Sequence, residues 1–128
     1  MSDDAVFTER ELDIMSILWK RGSGTVAEVR ADYGPDVGYT GVLKLLQILE
    51  EKQMVRHEKE GRAYRYFPSV EPAEAGGPAL GRIVDKIFHG SAELAVARLV
   101  SGRKLDPDEV VRLKALLDAS VRTTREDT

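Results

Sequence analysis

Gly38 to Lys52, GYTGVLKLLQILEEK, constrains the fold more than any other stretch, because its apolar residues keep a helical period that the chain abandons immediately afterwards. Val42, Leu45, Leu46 and Leu49 recur at i, i+3, i+4 and i+7, the spacing of one buried stripe. At about 100° per residue, Thr40, Lys44, Gln47 and Glu51 then fall on the opposite face. Two readings fit that face. It is either a solvated surface or a set of small, polar and cationic side chains near a helix start, which is what base edges and phosphates require.

The neighbours of this helix narrow the choice. Upstream, Thr8 is a good N-cap with Glu11 three residues on and Phe7 placed to staple the entry, so a first helix carries Leu12, Ile14, Met15, Leu18 and Trp19. Gly22 and Gly24 end it, and Thr25 caps a short second helix to about Ala31 that buries Val26 and Val29 before Tyr33-Gly34-Pro35-Asp36 breaks it. Three helices with tight joints, the last with a polar outer face, match a helix-turn-helix. Downstream, residues 54–59 and 63–67 are strand-like runs around Glu60-Gly61-Arg62, and Pro68 closes the second. A hairpin after a helix-turn-helix is a wing. At its tip Arg62 and Lys59 can meet phosphate or a minor groove, though a solvated turn residue is an equal reading of Arg62. Tyr64 and Tyr66, at alternate positions, are expected to cover a core.

Residues 68–78, PSVEPAEAGGP, lose all apolar periodicity and read as a linker. Helical spacing returns with Leu80, Ile83, Val84, Ile87 and Phe88. Ser91 caps a further helix to about Val100, and Asp106-Pro107-Asp108-Glu109 opens a last one carrying Val110, Leu113, Leu117 and Val121, with a tail from Thr123 expected to fray. This module has about 50 residues, too few to bury a sufficient core alone. The economical solution is a symmetric homodimer clasped through Leu80, Ile83, Ile87, Leu94, Val96, Leu99, Leu113 and Leu117. The expected organisation is mainly α with a small β-hairpin: an N-terminal winged helix-turn-helix over 1–68, a linker over 69–78 and a C-terminal three-helix dimerisation module over 79–128. Two such protomers present two reading helices about one DNA turn apart, so the target is a pseudo-palindromic double-stranded operator.

Composition sets limits. The net charge of −3 argues against broad, non-specific nucleic-acid affinity, but Lys52, Arg56, Lys59, Arg62 and Arg65 outnumber Glu58 and Glu60 around the wing. Absence of cysteine excludes disulfides, thiolate metal sites and cysteine nucleophiles. No apolar run of about 18 residues exists and MSDDAVFTER is acidic, so a cytoplasmic location without membrane insertion is the default. His57 and His89 lack carboxylates at metal-ligand or triad spacing, and Gly76-Gly77 lacks the lysine of a phosphate loop. Neither an enzyme, a metal nor a cofactor is expected.

Several strings resemble one family: Thr8-Glu9-Arg10-Glu11-Leu12-Asp13-Ile14-Met15 through Leu18-Trp19, Thr25-Val26-Ala27-Glu28-Val29, Tyr39-Thr40 with Leu45-Leu46-Gln47, Leu49-Glu50-Glu51-Lys52, and Gly61-Arg62-Ala63-Tyr64-Arg65-Tyr66 with Pro68. Together they are similar to the BlaI/MecI/CopY transcriptional repressors, the penicillinase-repressor family, over about residues 8 to 68. The resemblance implies a dimeric winged-helix repressor on an operator with dyad symmetry. The DNA contacts expected here are Tyr39, Thr40, Gly41, Lys44, Gln47, Lys59, Arg62 and Arg65. The best-known members are relieved through a membrane-bound sensor protease pathway that cuts the dimerisation helices, and another branch senses copper through C-terminal cysteines. This chain departs at Gly41 and Lys44, where members usually carry hydroxyl residues, and at Ile48, where they carry a basic one. Arg98-Leu99 replaces the Asn-Phe pair of the cut, and the missing cysteines rule out copper sensing of that kind. An interaction module that has lost DNA binding is the rival reading.

Overall fold

The computed structural model describes residues 7–127. The chain divides into two compact units, Met1–Arg82 and Ile83–Thr128. In the first, α1 (Glu9–Arg21), β1 (Gly24–Thr25), α2 (Val26–Tyr33), α3 (Tyr39–Glu51), β2 (Val55–Glu60) and β3 (Ala63–Pro68) follow one another, and α4 (Pro72–Ile87) begins here and runs across the division. The second unit continues with α5 (Ala92–Ser101) and α6 (Pro107–Asp127).

Local chemistry explains the boundaries. Thr8 and Glu11 close a reciprocal capping box at the start of α1, with Glu11 N–H donating to Thr8 Oγ1 at 3.1 Å and Thr8 N–H to Glu11 Oε1 at 3.0 Å. Gly22, at φ +90°, ends the helix. A second box, not anticipated from the sequence, joins Thr25 to Glu28 and starts α2. At the end of α3, Gln53 adopts the left-handed conformation at φ +65°. Its N–H donates to Glu50 O and that of Met54 to Leu49 O, so the helix closes in a Schellman turn and swings into β2.

Three of the four residues of the expected stripe are buried, and Leu45 is partly covered. Ile14, Met15 and Leu18 of α1, Val29 of α2, and Val42, Leu46 and Leu49 of α3 are fully enclosed, with Val55 and Tyr66 closing the core from the sheet. Leu12 is the exception on α1: it is exposed, and Glu11 takes the buried position. That carboxylate is held by Lys52 Nζ at 2.8 Å, which ties the start of α1 to the end of α3. Burial opposes its charge, yet the bonds from Lys52 and from the Thr8 N–H prevail and hold its pKa below the ordinary 4.5.

The sheet has three strands, not two, in the order β1-β3-β2 and antiparallel throughout. Gly24 pairs with Tyr66 and Thr25 with Arg65, so the wing is stitched to the joint between α1 and α2. Two residues are too few to register as a strand from sequence pattern.

The stretch read as a linker over 69–78 is corrected: α4 already begins at Pro72. Pro72 is its first residue, and Glu74 accepts the Glu71 N–H at 2.9 Å, the same proline-plus-acid start seen at α6. Ala75 is buried, and Trp19 Nε1 donates to Val70 O at 2.8 Å, which anchors the approach to this helix. The glycines and Pro78 that suggested a loop lie inside the helix. The division at Arg82 also falls later than expected.

In the second unit the helix starts are as read: Ser91 Oγ accepts the Leu94 N–H at 3.0 Å, and Asp106 Oδ1 accepts the Asp108 N–H at 2.9 Å. The tail expected to fray from Thr123 stays helical to Asp127, and Thr128 lies outside the described residues, as does the acidic start 1–6. Among the described residues from Ile83 onward, none is buried.

The Glu11–Lys52 pair yields a prediction. Lys52→Met should cost about 1–2 kcal/mol in urea unfolding at neutral pH, less than a fully buried pair because the ammonium is partly solvated. Since Glu11 titrates lower folded than unfolded, its contribution is complete above its ordinary pKa and vanishes as pH falls through the folded value. The difference between wild type and variant should therefore shrink on acidification.

Candidate nucleic-acid interface

With Val42, Leu46 and Leu49 held inward, Thr40, Lys44 and Gln47 are left on the exposed side of α3. The helix starts at Gly38 without a side-chain cap, so its first N–H groups are left to solvent or a ligand. Beside it, a groove of about 480 Å³ runs between α3 and the wing. Tyr39, Gln47 and Glu50 line one wall, His57, Arg62 and Tyr64 the other, and Thr25 to Ala27 close the end. Thus Tyr39, Gln47 and Arg62 share one groove, while Thr40 and Lys44 occupy the adjoining stripe of α3.

The cations of the wing divide into two groups. Lys52 is held by Glu11, Arg56 lies 2.6 Å from Glu58 and 4.3 Å over the Phe67 ring, and Arg65 is gripped by Glu60 and Glu28. These carboxylates raise the Arg65 pKa, and Arg65 in turn helps hold Glu60 and Glu28 low; for Glu28 the Thr25 N–H contributes most. Lys44, Lys59 and Arg62 form no ion pair with the described residues. The local excess of basic residues read from sequence is therefore largely matched by carboxylates of the protein itself, Arg56 in an exposed pair, and Lys44, Lys59 and Arg62 are the cations here without an ion pair among the described residues. Arg65, expected at the DNA, is paired with two protein carboxylates.

Gly41, also expected at the DNA, packs closely against its own chain. It is half-buried, and a Cβ there would stand 2.7 Å from Val37 Cγ1. Its lack of a side chain lets Val37, itself buried, pack against the first turn of α3. Tyr66 is buried as expected, and burial chiefly raises its pKa, with Glu50 nearby adding to the effect. Tyr64 is not: it is exposed on the groove, with its ring edge-on to His57 at 4.7 Å. His57 Nδ1 lies 2.7 Å from Glu50 Oε2 and links β2 to α3, a pairing that residue spacing did not announce.

A helix-turn-helix whose third helix lies open beside a projecting hairpin defines a winged-helix protein of the kind used in transcriptional regulation. The family model described as "Penicillinase repressor" matches residues 7–119, and the chain belongs to that family. It is 22% identical over 117 residues to the penicillinase repressor of Bacillus licheniformis, covering 87% of this chain and 88% of that protein. To the methicillin resistance regulatory protein MecI of Staphylococcus aureus it is 20% identical over 114 residues, covering 84% and 89%. Among solved structures, the DNA-binding domain of the repressor BlaI matches with a TM-score of 0.51 and 25% identity, over 58% of this chain and 93% of that one. These relatives are named as a repressor and a regulatory protein. No helix among the described residues is long and apolar enough to cross a membrane.

The contact at Gly41 can be tested by thermal melts. Gly41→Ala should lower stability although alanine is the better helix former. In a Val37→Ala background, where the obstruction is gone, the same change should gain about 0.5–1 kcal/mol.

Proposed function

We propose that this protein is a sequence-specific DNA-binding transcriptional repressor that acts as a homodimer on a pseudo-palindromic operator. The observation that carries the reading is the shared groove: Gln47 on α3 and Arg62 on the wing flank one channel, with exposed Thr40 and Lys44 alongside. Gln47 has the donor and acceptor needed to pair with adenine, Thr40 and Lys44 contact bases or phosphates, and Arg62 and Lys59 meet the backbone at the wing. Arg65 and Gly41 contribute to this surface from behind, one through ion pairs and the other through packing. The named relatives and the repressor domain it resembles support the same reading.

Support for the second copy comes from the C-terminal helices. All eight residues assigned to the dimer, Leu80, Ile83, Ile87, Leu94, Val96, Leu99, Leu113 and Leu117, are exposed in the single chain, between 37% and 63%. Apolar surface of that extent on consecutive helices is favourably removed from water by a symmetric partner. Relief through an upstream sensor pathway completes the proposal. Arg98-Leu99, at the place of the family's cut, lies within α5, so cleavage there requires local unfolding.

The rival, a protein-docking module, is favoured by one observation: Glu50 lines the groove while Lys52, Arg56 and Arg65 are neutralised internally. Salt separates the two, since DNA affinity falls steeply as salt rises and a mainly apolar contact does not.

Site selection from random duplexes should recover a sequence with dyad symmetry. In mobility-shift titrations Arg62→Ala should weaken binding to every sequence and reduce the salt slope by about 1, whereas Gln47→Ala should change base preference. Binding left untouched by both variants would overturn the assignment. By sedimentation, wild type should be dimeric and Ile87→Asp with Leu117→Asp monomeric; a wild-type monomer at micromolar concentration argues against the paired-site model.

A further inference from the structure

Arg65 stands on β3 opposite Thr25 of β1 and Glu58 of β2, at the base of the wing. Its guanidinium grips Glu60 with two bonds, Nε to Oε1 at 2.6 Å and Nη2 to Oε2 at 3.2 Å. In the other direction Nη1 donates to Glu28 Oε1 at 3.1 Å and to Ser23 Oγ at 3.2 Å. The same Glu28 oxygen accepts the Thr25 N–H at 3.1 Å and lies 3.3 Å from Arg21 Nη2. Arg21 continues to Asp32 at 2.9 Å. Charges thus alternate without interruption from Glu60 beside the wing turn, through Arg65 and Glu28, to Arg21 and Asp32 on α1 and α2.

We propose that this chain of alternating charges positions the wing, with Glu28 as its fixed point and Arg62 as the residue it places. The wing needs such a restraint. A two-stranded hairpin is marginal on its own, β2 is exposed at every position after Val55, and β1 pairs with only two residues of β3. Glu28 is well suited to be the fixed point, because its carboxylate is already immobilised by the capping box that starts α2. Arginine suits the middle of the chain: its planar fork engages Glu60 with two bonds while a third nitrogen reaches Glu28, a fixed geometry that a single ammonium nitrogen does not offer. Four hydrogen bonds hold the Arg65 guanidinium within the protein and its charge already faces two carboxylates, so it is held as part of the scaffold more than offered to a phosphate. Arg65 and Glu28 are therefore positioning residues for Arg62.

The inference rests on the DNA-binding reading above, and the test separates the two. The probe is a fluorescent duplex recovered by selection with the wild-type full-length chain, read by anisotropy across a salt series. Glu28→Gln keeps an acceptor for the Thr25 N–H and Glu60→Gln lies at an exposed turn, so both should melt within about 3 °C of wild type. Each removes a negative charge near the duplex, which by electrostatics alone should tighten binding. Positioning predicts the opposite, a weakening of about fivefold, and a smaller effect of Arg62→Ala in the Glu28→Gln background than in wild type. Arg65→Lys should weaken binding similarly while leaving the salt slope unchanged. Tighter or unchanged binding by the glutamine variants, additivity with Arg62→Ala, or full rescue by Arg65→Lys overturns the inference alone. A wild type that binds no duplex even at low salt overturns the DNA-binding reading and this inference with it.

Discussion

Burial of one side of α3 governs the first unit. Once Val42, Leu46 and Leu49 are enclosed by Ile14, Met15 and Leu18, the rotation of the helix about its axis is set, and with it the residues that remain outside. A turn of α3 by one residue would drive Gln47 and Glu50 into the core in place of Leu46 and Leu49, leaving polar groups without partners. The Glu11–Lys52 pair fixes the same helix along its length by tying its C-terminal end to the first turn of α1. The exposed face is thus a consequence of packing on the opposite side, and the groove beside the wing, floored in part by the core residues Val26 and Tyr66, inherits its geometry from that packing.

Much of this arrangement was legible in the sequence because it follows from periodicity and capping. The stripe of α3, the Thr8 box, the hairpin around Gly61 and the helix starts at Ser91 and Asp106 are all local signals, and local signals survive folding when tertiary packing agrees with them. What escaped depends on residues distant in the chain. Glu28 and Arg65 are 37 positions apart, and Lys52 and Glu11 are 41 apart, so their charges looked available when each was already matched. The basic wing consequently looked more open to an anion than it is. Gly41 escaped for a related reason: its neighbour Val37 lies just before the helix, and only the fold shows that they touch.

The start of α4 is a different failure, since the signal was present. Glu71-Pro72-Ala73-Glu74 has proline at the first helical position and an acid two residues on, but Gly76, Gly77 and Pro78 outweighed it. These residues are costly in a helix interior, and here the cost is offset where Ala75 is buried and Val70 receives the indole N–H of Trp19. The second unit has no comparable compensation: its helices have sound caps, yet no described side chain from Ile83 onward is buried, so local propensity rather than a core of its own accounts for the helical starts.

The close approach of Val37 to Gly41 has a chemical corollary. The direction a side chain would take at that turn is filled by Val37, so the position sends nothing outward to read a base. Under the proposed function, discrimination between neighbouring genomic sites then falls on fewer letters, and a shape-based contribution from the bendability of the intervening steps gains weight.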